Sequence, residues 1–544
     1  MIRTVTIIGA LLAGALFAGT LEKISEKPEG HVKNFLLWQY LQQEDVSGDE
    51  ARRAFEQFYN VNQKLYLAYA ARSDDPYVKE TARCWNLSAS ELVSTGDDAC
   101  VAMALSPGKV AALDMAQRKL LAERFADAPN FGPWLKVMAE IGPGTDLERF
   151  DPELFVKVAV SAGTSYRREL LDRDYSKAFI DKIAQQRAFD TLVRRVVTDA
   201  KMPRFQRALL ETEPDRAGAQ TAFFLAMNQL RHGDKEAALR HLERAYDTFY
   251  YRMDKDKALF WQFLITKEPQ LLRLLAQSVD INIYSLYAKE LLDERVDNYF
   301  ITLSTVKNAP AKIDITDPFE WERLLDTIRK TPKEQLFAVA EAYRSRPLLP
   351  VQSFILERAY GYKMSGFITP YREAMRGMEQ EKKAIMLSLM RQESRFIPSA
   401  LSRSYALGLM QIMPFLVKAM DKQEKRPTGS LEKMFDPDTN IAYASKHLDY
   451  LQHYLYHPLL IAYAYNGGIG FTKRFLLDGA FAKGDYEPFW SMEMMANSES
   501  REYGKKVLAN YVVYERILGK KVSIARLFDN LKHPSLSDRF RASK

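Results

Sequence analysis

From about residue 30 to residue 370, apolar residues recur at three- and four-residue steps with almost no period-two alternation, and this pattern predicts helix after helix. Several starts carry caps. Asp317-Pro318 supplies an N-cap and an N1 proline before Trp321, Leu324, Leu325 and Ile328, which share one face, and Asp151-Pro152 is a second start of this kind. Thr331-Pro332-Lys333-Glu334 reads as a capping box ahead of Leu336 to Tyr343.

One stretch predicts how the helices are arranged. Ala222 to Arg231, a tight turn at His232-Gly233-Asp234, and Glu236 to Tyr251 resemble a tetratricopeptide-type hairpin, with Ala238, Leu242, Ala245 and Phe249 on one face of its second helix. No strict repeat of about 34 residues accompanies it, so the expectation is an irregular α-superhelix whose many Leu, Phe and Tyr residues are mostly core.

From about residue 373 the texture changes, with more Gly, Ser, Asn and Met between helices, which suggests a domain that carries a cleft. The apolar run Ala384 to Met390 reads as a buried helix that Pro398 stops. Glu393, in Arg391-Gln392-Glu393-Ser394-Arg395, closes that run. A carboxyl there lies near the negative end of the helix macrodipole among apolar neighbours, and both disfavour ionisation. General-acid chemistry needs the protonated state. On this pentapeptide alone, a charge on a solvated helix face is the simpler account.

Composition narrows the classes. The chain has 544 residues, 47% apolar and 27% charged, too long for one core, and about three domains are expected. A net charge of +7, spread along the chain, fits an anionic polymer or surface and argues against nucleic acid. Met1-Ile2-Arg3 and the apolar run Val5 to Gly19 read as a secretory signal over residues 1–20, with an uncleaved membrane anchor as the alternative. Nothing else in the chain is apolar for long enough to span a bilayer. Cys84 and Cys100 are close enough in sequence to bridge in an oxidising compartment, and two buried free thiols are the alternative. His453 and His457 lack an HExxH context and a third ligand, and Gly467-Gly468-Ile469-Gly470 lacks the strand and GK[ST] of a phosphate loop. No metal or cofactor is expected.

Further stretches carry candidate chemistry. Gly408-Leu409-Met410-Gln411 begins with a glycine that permits close backbone approach and then presents an amide. Ala464-Tyr465-Asn466-Gly467-Gly468 ends an apolar helix with an aromatic hydroxyl and an amide, a pairing suited to a sugar. Glu493 precedes Glu499, Arg501 and Tyr503. In this order and spacing the series resembles the soluble lytic transglycosylase family over residues 373–520. The resemblance implies an all-α chain: a signal peptide at 1–20, an α-superhelical domain of helical hairpins at 21–285, a helical linker at 286–372, a lysozyme-like catalytic domain at 373–520 and a tail at 521–544.

It also implies a periplasmic, monomeric enzyme that cuts peptidoglycan glycan strands between N-acetylmuramic acid and N-acetylglucosamine without adding water. Glu393 matches the catalytic glutamate, acid first and then base as the C6 hydroxyl closes a 1,6-anhydro ring. Ser394, Gln411, Tyr465 and Asn466 match residues that hold the sugars, and Glu493 a position of cleft structure or peptide-stem contact. Other cell-wall enzymes are partners the resemblance allows. No Asp or Glu occurs between Ser394 and Met420, where the second carboxyl of an ordinary glycosidase might be sought. A hydrolytic muramidase and a glycan-binding helical scaffold are the other readings. Tyr405 and Ala444 stand where glycine is usual, and Ala496 where proline is usual. Tyr405 could narrow or reshape a subsite.

Overall fold

The computed structural model describes residues 20–307, 309–424 and 430–542. The expected signal segment lies outside the described residues but for Thr20. Among the described residues the chain is all-α, and strand is confined to Tyr299–Phe300 and Ser365–Gly366, a parallel pair. No helix among them is long and apolar enough to cross a membrane.

Local sequence explains most helix starts. The Asp317 carboxylate accepts from Phe319 N–H at 2.8 Å to open Pro318–Lys330, and Asp151 accepts from Leu154 N–H at 3.0 Å to open Pro152–Ser161. The capping box expected at Thr331 does not form. Its hydroxyl donates back to the Thr327 carbonyl at 2.8 Å, because Thr331 closes the preceding helix, and a 3₁₀ turn, Lys333–Gln335, leads into Leu336–Ala342 instead.

The chain divides into two compact units, neither of them continuous in sequence. One comprises residues 20–83, 299–450 and 517–519. Its N-terminal helices His31–Tyr40, Gly48–Phe55 and Gln63–Ala70 bury Leu37, Leu41, Ala51 and Ala54, with Phe55 stacked on Tyr69 at 4.3 Å. A second core joins Trp321, Leu324 and Ile328 to Leu336, Val351 and Ile355, and reaches Ile397 just past Glu393.

The other unit comprises residues 84–298, 451–516 and 520–542. The hairpin read from the sequence is present as Ala219–Arg231 and Lys235–Thr248, with Ala238, Leu242 and Ala245 buried. The stack continues as Arg252–Thr266, Pro269–Ala276 and Ile283–Leu291, each packed on the helix before it. Cys84 and Cys100 are disulfide-bonded, with Cα atoms 4.8 Å apart.

Candidate active site

The first unit holds Glu393, Ser394 and Gln411. Helix Gln380–Ser394 is buried from Ala384 through Arg391, as its unbroken apolar run requires, and Glu393 lies half-buried in its last turn. Ser394, also buried, donates to the Met390 carbonyl at 3.3 Å. The helix ends four residues before Pro398, because Arg395 and Phe396 turn left-handed with φ of 53° and 68°. Such backbone is uncommon for residues other than glycine and persists where the surroundings over-determine it.

Those surroundings come from the segment preceding the helix. Arg391, buried, donates to the Gly366 carbonyl at 2.9 Å and to Glu357 at 2.7 Å, with its guanidinium 4.2 Å from the centre of the Phe367 ring. Arg395 pairs with the same carboxylate at 3.2 Å, and Gly366 N–H donates to it at 2.7 Å. Tyr371, whose hydroxyl burial pushes far above its ordinary pKa, donates to the Phe396 carbonyl at 2.9 Å. Thus the residues on either side of Glu393 are fixed by helix Leu349–Ala359 and by the strand Ser365–Gly366.

Residues 400–412 form a cross-braced loop. Leu407 and Ile412 exchange two backbone hydrogen bonds at 3.0 Å, and Gly408 N–H donates to Ala400 at 2.8 Å. Gly408 has a φ of 72°, and a Cβ there would collide with the Met434 carbonyl and the Asn440 amide, so only glycine fits. Asn440, fully buried, accepts from Met410 N–H at 2.9 Å and donates to the carbonyls of Leu407 and Met434 at 2.9 and 2.8 Å. Gln411, half-buried, uses its amide NH₂ within the loop, donating to Ala400 at 3.0 Å and Gly408 at 2.8 Å.

Tyr405 lies at the tip of this loop with φ 68°, which explains why glycine suits the position. Its ring packs on the N-terminal helices of the same unit. It is 2% exposed, at 5.2 Å from the rings of His31 and Phe35 and 5.3 Å from Trp38, with the Lys64 ammonium 4.1 Å from its centre. Left-handed backbone costs a residue with a Cβ about 1–2 kcal/mol. Ring pairs such as those with Phe35 and Trp38, at about 0.5–1.5 kcal/mol each, are of the size that offsets it.

The second unit holds Tyr465, Asn466 and Glu493. Helix Pro458–Gly467 is buried from Pro458 to Ala464 and ends where Gly468 adopts φ 86°, leaving Tyr465 and Asn466 half-buried in its last turn. Asn466 donates to Glu499 at 3.1 Å and accepts from the Ser500 hydroxyl at 2.7 Å, both on helix Ser498–Ile517. The His457 ring caps the start of its helix, accepting from Leu459 N–H at 3.1 Å while Nε2 donates to the Leu527 carbonyl at 2.9 Å.

Glu493 is buried rather than open to a ligand. Both oxygens accept from Lys505 at 3.0 Å, and Tyr284 donates to one of them at 2.8 Å. Lys505 also pairs with Glu502 at 3.0 Å. Burial disfavours the Glu502 carboxylate, yet the charges of Lys505, Lys257 and Arg501 outweigh it and hold its pKa far below the usual range. The same helix carries Glu499 and Ser500, so this ion network and the contacts of Asn466 share one support.

Sequence reading missed Glu357, Asn440, Lys505 and the aromatic seat of Tyr405. Of the residues that build these supports, only Arg391 stood inside a stretch already singled out. Glu357 and the seat of Tyr405 are distant in sequence from what they hold, whereas Lys505 lies only 12 residues from Glu493.

Known proteins share the later part of this chain. Residues 371–484 match the Transglycosylase SLT domain. The chain is 29% identical over 217 residues to the soluble lytic murein transglycosylase of Escherichia coli K12, covering 39% of this chain and 33% of that protein. It is 28% identical over 222 residues to the Salmonella typhimurium protein of the same name, covering 39% and 33%. The alignments thus span about a third of the length of these curated relatives. Among solved structures, an inactive mutant of the lytic transglycosylase Slt from Pseudomonas aeruginosa aligns with a TM-score of 0.46 at 18% identity, covering 93% of this chain and 90% of that one.

Proposed function

We propose, from the premise that residues 371–484 are a transglycosylase SLT domain, that this protein is a periplasmic lytic transglycosylase acting on peptidoglycan. The observation that carries the reading is Glu393: a half-buried carboxyl in the last turn of a buried helix whose end is fixed by the Arg391–Glu357–Arg395 pairing. One carboxyl suffices for the chemistry. Glu393 gives its proton to the glycosidic oxygen between N-acetylmuramic acid and N-acetylglucosamine as the C1–O4 bond breaks. The resulting carboxylate takes the C6 hydroxyl proton as O6 bonds to C1. The substrate's acetamido group assists at C1, no water enters, and the product ends in 1,6-anhydro-N-acetylmuramic acid.

Ser394, Gln411, Tyr465 and Asn466 hold the sugars in this proposal. Glu493 takes the cleft-supporting part, since Lys505 and Tyr284 occupy its oxygens. The Cys84–Cys100 disulfide supports an oxidising compartment.

The test is digestion of purified peptidoglycan by the full chain and by Glu393→Gln, with products read by mass spectrometry. Fragments lighter by one water, at a rate reduced about 100-fold or more in the variant, are expected. Hydrated reducing ends would establish a muramidase instead, and binding without release a glycan-binding scaffold. Undiminished release by Glu393→Gln removes the catalytic assignment.

A further inference from the structure

We infer that Tyr405 is a positioning residue: its ring, seated on the N-terminal helices, fixes the tip of loop 400–412 and thereby the backbone that presents Gln411. The inference rests on the proposed role of that loop in glycan cleavage.

The seat is specific on both sides. His31, Phe35 and Trp38 come from helix His31–Tyr40, and Lys64 from Gln63–Ala70. These four residues surround the Tyr405 ring, and two of them also grip the backbone beside it. His31 Nε2 donates to the Ser402 carbonyl at 2.7 Å, and Lys64 Nζ to the Ser404 carbonyl at 3.1 Å. The tip is thus held by ring packing and by two polar tethers from helices more than 300 residues earlier in the chain.

The tip and Gln411 belong to one hydrogen-bonded frame. Tyr405 N–H donates to Ser402 at 2.8 Å, and Ala406 N–H to the Ser402 hydroxyl at 2.9 Å. Leu401 and Leu407 then pair across the loop, Leu407 pairs with Ile412, and Gln411 closes back onto Ala400 and Gly408. The local turn shapes the tip, and left-handed backbone at a tyrosine persists where its surroundings over-determine it, which here the ring seat does. Because no ring face is left open, the ring acts through the loop and touches no sugar.

The experiment compares full-length wild type with Tyr405→Gly, Tyr405→Phe, His31→Ala and the Tyr405→Gly/His31→Ala double variant. Glycine tolerates the backbone angle and phenylalanine keeps the ring. Hydrogen exchange of residues 400–412 is expected to rise about tenfold in Tyr405→Gly and in His31→Ala, with helix 380–394 unchanged. Peptidoglycan turnover should fall about tenfold in kcat with KM within about twofold, as displacement of a positioning group implies. Tyr405→Phe should match wild type in both readouts. The double variant should fall short of the sum of the two single effects, since both remove the shared ring contact while His31→Ala alone also removes the Ser402 tether. Wild-type exchange in the loop of Tyr405→Gly, uniform loosening of the whole unit, or failure of Tyr405→Phe to rescue overturns the inference. Should wild type release no glycan, the functional proposal fails, and the exchange pattern alone decides whether the seat fixes the loop.

Discussion

The Arg391 guanidinium donates to the Glu357 carboxylate at 2.7 Å, with both side chains buried, two residues before the carboxyl on which the proposed chemistry depends. Glu357 also receives Arg395. Substituting Glu357→Gln leaves the buried Arg391 without its counter-charge, and a loss of about 3–5 kcal/mol is expected. Urea unfolding would measure it. A variant as stable as wild type would show that the pairing does not hold the helix end.

Asn440 satisfies three backbone groups, Met410 N–H and Leu407 C=O of loop 400–412 and Met434 C=O beside it. Asn440→Ala orphans Met410 N–H and two carbonyls, each worth about 1–3 kcal/mol when buried and unsatisfied. Loss of glycan release should accompany a lowered unfolding midpoint. Gly408→Ala, which drives a methyl into Met434 and Asn440, is expected to be at least as damaging.

Part of this was legible in the sequence and part was not. The last turn at Glu393 follows from a contiguous apolar run, and the hairpin at 219–248 from a local period and a turn, all of which lie within about 30 residues. The capping box expected at Thr331 does not form because the same side chain can close one helix or open the next, and the close of Pro318–Lys330 prevails. Glu357 and the ring seat of Tyr405 had no local signature. An arginine, a histidine or a tryptophan on a helix gives no sign of a partner tens or hundreds of residues away.

Lys505 is fully buried between Glu493 and Glu502 and lies within 3.4 Å of the Tyr284 hydroxyl. Lys505→Met keeps the length of the side chain but removes the cation shared by Glu493 and Glu502, leaving buried Glu493 with only the Tyr284 hydroxyl and Glu502 with Arg501. A loss of about 3–5 kcal/mol is expected, read by chemical denaturation. Activity should fall with it, because helix Ser498–Ile517 also carries the partners of Asn466.

Acid should weaken the unit that contains His241 and His457. Burial, then the charge of Arg240, lowers the His241 pKa to about 4, and burial lowers that of His457 to about 3. Unfolded histidine titrates near 6.5, so below that pH the unfolded chain takes up protons that the folded chain refuses. Stability present above pH 6.5 is therefore lost as pH falls toward 4 and 3, at about 1.4 kcal/mol per pH unit for each histidine. Denaturation midpoints measured from pH 7 to 5 should fall, and His241→Asn should flatten the slope by about one proton.

The Cys84–Cys100 bond closes a short loop at the start of the second unit. Replacing both cysteines with serine, or adding reductant, should cost about 3 kcal/mol. Thermal melts with and without reductant would show it. Coincident curves would mean the cross-link adds nothing to this fold.

The discontinuity of the unit bearing Glu393 constrains how the molecule comes into being. Phe35 waits for Phe435, and His31 for Tyr405, while the whole stretch 84–298 is made in between. Until the chain has passed residue 435, the apolar face that will receive Tyr405 and Phe435 has no native cover, the circumstance in which growing chains aggregate or need chaperones. Contacts of such high sequence separation slow folding. Any truncation that stops short of the last domain leaves the first helices unfinished as well.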